Sequence, residues 1–135
     1  MTDARPVASK PAYRALVVED DPAIRRLVEK LLTRLKIEID VAGDGRTAMD
    51  KLRANHYSVL VLDLMVPELD GFEVIDMIKK EKLNVPVAVV SAVSQQALTK
   101  LDLDVVKLVI SKPFDVDEFT KAIVTLCSES QESSH

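Results

Sequence analysis

Four places in this chain carry side chains suited to phosphoryl chemistry. Asp63 follows the apolar run Ser58-Val59-Leu60-Val61-Leu62, and Glu19-Asp20-Asp21 follow Ala15-Leu16-Val17-Val18. Ser91 closes Val87-Ala88-Val89-Val90, and Lys112-Pro113 come after Val106-Lys107-Leu108-Val109-Ile110-Ser111. Carboxylates gathered at one point repel and raise each other's pKa unless a cation sits among them. Mg2+ suits such a set, because it takes one or two carboxylates, keeps waters and coordinates phosphate oxygens. Asp63 is the candidate nucleophile, since a carboxylate can attack phosphorus and form an acyl phosphate. Phosphoryl transfer asks chiefly for positioning and charge neutralisation. Lys112, a compact charge on a flexible stem, can supply part of the second. The Ser91 hydroxyl can donate to a phosphoryl oxygen. A cis Lys112–Pro113 bond would help aim the lysine. Taken singly, each group has a plainer explanation: acids that cap a helix, an exposed lysine, a serine opening a loop. Their joint placement at the ends of apolar runs favours the chemistry.

Those runs read as strands near residues 14–18, 37–42, 58–63, 85–91 and 106–111. Three are continuous, as strands covered on both faces are, whereas Ile37, Ile39 and Val41 alternate like an edge strand. Helical stripes lie between them. Ile24, Leu27, Val28, Leu31, Leu32 and Leu35 recur at three- and four-residue steps after Asp21-Pro22, a cap and a first helical residue. Ala48 and Leu52 follow Asp44-Gly45; Phe72, Ile75 and Ile78 follow Asp70-Gly71; Val116, Phe119, Ile123 and Leu126 follow Asp115. Ala97, Leu98 and Leu101 give Ser94–Leu103 a thin stripe. Five strand–helix repeats predict an α/β, flavodoxin-like (βα)5 three-layer sandwich, its parallel sheet in the order 2-1-3-4-5. In such a sheet ligands bind at the C-terminal strand ends, by the switch point between the first and third strands. Those strands end in Glu19-Asp20-Asp21 and in Asp63.

At 135 residues the chain supports one domain. Residues 13–127 form it, with a disordered lead-in over 1–12 and a disordered Ser- and Glu-rich tail over 128–135. A net charge of −4 and the absence of Trp argue against direct nucleic-acid binding and base stacking. Cys127, the only cysteine, excludes an intrachain disulfide and reads as a free thiol on the last helix. No apolar stretch is long enough for a membrane span, and Met1–Pro11 lacks the apolar centre of a signal peptide, which places the protein in the cytoplasm.

Val17-Val18-Glu19-Asp20-Asp21, Asp63 through Gly71, Ser91-Ala92 and Lys112-Pro113-Phe114, in that order and at those strand ends, resemble the receiver domain of two-component response regulators. The resemblance spans residues 13–127. It implies that Asp63 is the phosphoacceptor, taking a phosphoryl group from a sensor histidine kinase or a histidine phosphotransfer protein. It implies a Mg2+ ion held by Glu19, Asp20, Asp63 and the backbone carbonyl of Met65, with Ser91 as switch hydroxyl and Lys112 as phosphate contact. A downstream protein would then read the face formed by the fourth helix, fifth strand and fifth helix, the chain being a monomer or weak homodimer. Stand-alone regulator, phosphorelay intermediate and receiver of a longer protein are all compatible with it. Enzymatic activity is expected only as Mg2+-dependent self-phosphorylation and self-dephosphorylation. Met65 and Val93 would flank the path of a hydrolytic water, and neither can orient it. The chain departs from the receiver pattern twice: Val109 stands where many receivers have an aromatic residue, and Leu101-Asp102-Leu103-Asp104 replace a small-residue turn.

Two rival readings share the topology. An aspartate phosphatase of the haloacid dehalogenase type needs a second acid two residues after the nucleophile, and Met65 is there. A flavodoxin-like cofactor binder needs a first loop that cradles phosphate, which Glu19-Asp20-Asp21 would repel.

Overall fold

Aspartates start the long helices. The computed structural model describes residues 13–133 apart from Pro67 and Val93; the expected lead-in and the Val93 position lie outside the described residues. Asp21 accepts the N–H groups of Ala23 and Ile24 and opens α1 (Pro22–Arg34), with Pro22 in the first turn where no intrahelical N–H is needed. Asp44 accepts from Thr47 at the head of α2 (Gly45–Ala54), and Asp70 forms a reciprocal capping box with Glu73 at the head of α3 (Gly71–Glu81). Asp115 accepts from Glu118 in the first turn of α5 (Val116–Ser133).

Between the helices run β1 (Tyr13–Val18), β2 (Ile37–Ala42), β3 (Val59–Leu62), β4 (Val87–Ser91) and β5 (Val106–Ser111). All pair in parallel, in the order β2-β1-β3-β4-β5. This is the flavodoxin-like order the alternation predicts. Because successive strand side chains point to opposite faces, the apolar runs feed two cores. Leu16, Val18, Leu60, Leu62, Val87 and Val89 pack with Ala48, Met49, Leu52, Val74 and Ile78 of α2 and α3. Ala15, Val17, Val59, Val61, Ala88 and Val90 pack with Val28, Leu32, Phe119 and Ile123 of α1 and α5. Cys127 is a free thiol buried in this second core, and burial pushes its pKa up to about 11.

Three expectations change. The stripe over Ser94–Leu103 yields only one helical turn, α4 (Gln95–Leu98). Asp102 stops it: its side chain accepts the Asp104 N–H and its carbonyl accepts those of Val105 and Val106, local bonds that compete with a helix. At the other end α5 runs on to Ser133, past the expected boundary at residue 127, so residues 128–133 are not a disordered tail. That segment contains neither Gly nor Pro, and its Glu and Gln residues tolerate a helix well. Finally, Leu27 and Val116, expected inside, stay about two-fifths exposed at 40% each.

Gly45 ties this frame to the loop after β3. A methyl group there would sit 1.9 Å from the Leu69 carbonyl oxygen, a backbone atom that cannot swing aside. At Gly43 the nearest atom is the end of Arg25, 3.9 Å away. Gly45→Ala is expected to cost about 1–3 kcal/mol of stability and Gly43→Ala far less, read by urea unfolding, as overpacking against a fixed backbone predicts.

Candidate functional site

The sheet's hydrogen-bond ladder continues one residue past three strands, and that extension sets the site. Glu19 donates its N–H to the Ala42 carbonyl at 3.2 Å, Asp63 to Val18 at 3.0 Å and Lys112 to Ser91 at 3.0 Å. Each candidate residue is therefore held in strand register at the C-terminal edge. The Lys112–Pro113 peptide is cis.

Side chains from four strand ends meet there. Lys112 Nζ lies 2.8 Å from Glu19 Oε1 and 3.0 Å from Asp63 Oδ2. Asp63 Oδ1 accepts the Met65 N–H at 3.0 Å and the Ser91 hydroxyl at 3.2 Å. Glu19, Asp63 and Ser91 are the buried polar residues of the described chain. Asp20 stands exposed at the rim, with no hydrogen bond or ion pair among the described residues, yet Glu19, Asp20 and Asp63 each bring an oxygen within 4.8 Å of the others. The donor set is all oxygen and one carboxylate has no partner, so this acidic cluster can bind a hard metal ion. Met65 joins through its backbone N–H, while its side chain is 65% exposed at the mouth. Asp21 is turned to cap α1 and does not join the cluster.

One participant was invisible to the sequence reading. Arg25 donates from Nη1 to the Glu19 carbonyl at 3.2 Å and braces the acidic loop from α1. Its only sequence signal is a place on the inner flank of the apolar stripe, one turn after the cap.

Burial and partners pull the charges in opposite directions. Burial raises the Glu19 carboxyl above its usual range, and the Lys112 contact and the Asp21 N–H only partly offset that. Burial acts on Asp63 too, but the Met65 N–H and the Lys112 ammonium together outweigh it and hold the carboxyl below its usual value. For Lys112, burial opposes the charge, yet Glu19 and Asp63 more than restore it and raise its pKa. The site thus combines an ionised Asp63 with a committed cation.

The family model of the response regulator receiver domain matches residues 15–124. The chain belongs to that family. A curated relative, the alkaline phosphatase synthesis transcriptional regulatory protein SphR of Synechococcus elongatus, is 31% identical over 93% of this chain and 53% of its own length. The receiver domain of Francisella response regulator 1452 is 28% identical, with a TM-score of 0.82 over 87% of this chain and 98% of that one. Response regulator TrrA of Thermotoga maritima, solved in complex with Mg2+-BeF, is 30% identical, with a TM-score of 0.76 over 84% of this chain and 98% of that one. The chain spans about half the length of the curated relatives it matches. Receiver domains are signalling domains rather than enzymes, and those of response regulators interact with histidine kinases and downstream effectors. The pocket around Asp63 fits a phosphorylation-dependent switch of this two-component class. Among the described residues, no helix is long and apolar enough to cross a membrane.

Removing the ammonium should reverse the Asp63 shift. In Lys112→Met, both carboxyls are expected to titrate at higher pH than in the wild type, measured by carboxylate 13C NMR. The stability lost in that variant should appear above the variant's raised carboxyl pKa values. It should vanish as pH falls below the wild-type values, where both acids are protonated in either protein. Unchanged titration would show that Lys112 does not set the site's charge.

Proposed function

We propose that Asp63 of this receiver accepts a phosphoryl group from a phosphohistidine on a sensor histidine kinase or histidine phosphotransfer protein, in a Mg2+-dependent reaction. The observation that carries this reading is the buried, ionised Asp63 carboxylate between Lys112, Ser91 and the Met65 N–H, beside two further acids. A carboxylate oxygen attacks phosphorus, the P–N bond breaks and the histidine nitrogen keeps the electron pair. Glu19, Asp20, Asp63 and the Met65 carbonyl would hold Mg2+, which supplies charge neutralisation to the phosphoryl oxygens. Lys112 already faces the acceptor carboxylate and is placed to pair with the added charge, about −2 at neutral pH. Ser91, now donating to Asp63, can donate to a phosphoryl oxygen instead.

That exchange at the end of β4 would bias the surface formed by α4, β5 and α5, which a downstream protein reads. Val109 on β5 is 39% exposed, so the readout runs without a swinging aromatic ring. The protein acts in the cytoplasm as a monomer or weak homodimer. Its only catalysis is Mg2+-dependent self-phosphorylation and self-dephosphorylation.

Intact-mass spectrometry after treatment with acetyl phosphate and Mg2+ tests the chemistry. The wild type should gain one phosphoryl group and Asp63→Ala none; Asp20→Ala should bind Mg2+ much more weakly by calorimetry and label poorly. Normal labelling without Asp20 would move the cation elsewhere. The acyl phosphate should also be long-lived, because the Met65 side chain at the mouth has no strong hydrogen bond to offer water. Met65→Asn is therefore expected to shorten its half-life; a wild-type half-life already shorter than the variant's would count against this.

A further inference from the structure

Sulfur is distributed unevenly over the described residues. Met49 lies in the first core at 1% exposure, Met77 packs against the same core, and the Cys127 thiol is buried in the second. Met65 belongs to neither core, and it is 65% exposed. Its backbone is nevertheless held at the chemistry, because the Met65 N–H donates to Asp63 Oδ1 at 3.0 Å. An exposed thioether is what a two-electron oxidant attacks, and oxidation turns a flexible apolar side chain into a polar, chiral sulfoxide. Burial shields the other sulfurs. It also keeps Cys127 a thiol, whereas the thiolate is the reactive form.

The place of this sulfur decides what its oxidation would do. Glu19, Ser91 and Lys112 close the inner sides of the Asp63 carboxylate. Water that hydrolyses an acyl phosphate there enters from the solvent side, where Asp20 and the Met65 side chain stand exposed. A thioether sulfur is a weak acceptor and leaves that water unoriented. A sulfoxide oxygen, carried on the same flexible stem, is a strong acceptor and can hold it.

We propose that Met65 is an oxidation site through which hydrogen peroxide shortens the life of the phosphorylated state. The inference rests on the phosphoacceptor reading of Asp63 and adds a redox input to the same pocket. The sulfur lone pair attacks one peroxide oxygen; an S–O bond forms and the O–O bond breaks. Thioether and peroxide become sulfoxide and water, the sulfur being oxidised and the peroxide reduced by two electrons. Methionine sulfoxide reductases reverse the change, with a dithiol oxidised to a disulfide and water released. The modified side chain acts as a positioning group for water, in the direction expected of Met65→Asn.

The test uses the full chain as wild type and as Met65→Leu, which keeps the bulk and apolarity and removes the sulfur. Both are treated with hydrogen peroxide, freed of it and mapped by peptide mass spectrometry. They are then labelled with acetyl phosphate and Mg2+, and loss of the phosphoryl group is followed by intact mass. Met65 should gain one oxygen well before Met49 and Met77. The oxidised wild type should lose its phosphoryl group at least about threefold faster than the untreated protein, as a better-placed water predicts. Peroxide should leave the lifetime in Met65→Leu unchanged, and the two epimer-specific reductases should restore the wild-type lifetime. Oxidation of Met65 no faster than that of Met49 overturns the site. An unchanged or longer lifetime after oxidation, an equal loss in Met65→Leu, or an oxidised protein that no longer labels overturns the proposed effect and leaves the acceptor reading standing. Failure of acetyl phosphate to label the untreated wild type would strike the acceptor reading itself, and this inference with it.

Discussion

One ammonium group holds two buried carboxylates together. Lys112 Nζ contacts Glu19 at 2.8 Å and Asp63 at 3.0 Å, although the two acids come from different strands and repel each other. A buried charge without a partner is severely unfavourable, so the pocket exists in this form only because the lysine reaches it. The unequal result for the two acids matters chemically. Asp63 collects two further hydrogen bonds from Met65 and Ser91 and stays ionised, whereas Glu19 carries more of the cost of burial. Of the two buried acids, the candidate nucleophile is the one whose carboxyl the site holds below its usual range.

The reach of Lys112 is itself a consequence of strand register. The backbone bond from Lys112 to Ser91, and those from Asp63 to Val18 and Glu19 to Ala42, carry the sheet's regularity one residue into the loops. Side chains on ordinary loops would hold such distances less firmly, because loop backbones are more mobile than the ladder. The apolar strands behind them are buried in two cores, so the site rests on the stiffest part of the molecule.

Much of this was legible in the residues because the signals were redundant. Apolar runs gave the strands, aspartate–glycine and aspartate–proline pairs gave the helix starts, and each chemical side chain fell at a strand end. Where one signal stood alone, it failed. The thin stripe of Ala97, Leu98 and Leu101 suggested a helix, but Asp102 offered the backbone better local partners. The Ser- and Glu-rich end suggested disorder, yet polar residues without Gly or Pro continue a helix once packing has started it; Phe119, Ile123 and Cys127 supply that packing. Arg25 escaped notice because its role is a contact with a backbone carbonyl, and no pattern of residue types encodes such a contact.

The shortened α4 also bears on how a switch at Asp63 would spread. Ser91 and Lys112 are joined through their backbones, so a group that draws on both side chains pulls on the tips of β4 and β5 together. The chain leaving β4 enters α4, a single turn, and the following loop is tied to α3 by Lys79 and Asp102 at 2.6 Å. That ion pair is solvent-exposed and contributes little to stability, whereas the strands behind the site are fixed by full burial. Burial therefore falls from the strand tips toward α4. A displacement imposed at Ser91 would meet the buried sheet on one side and the single-turn α4 segment on the other.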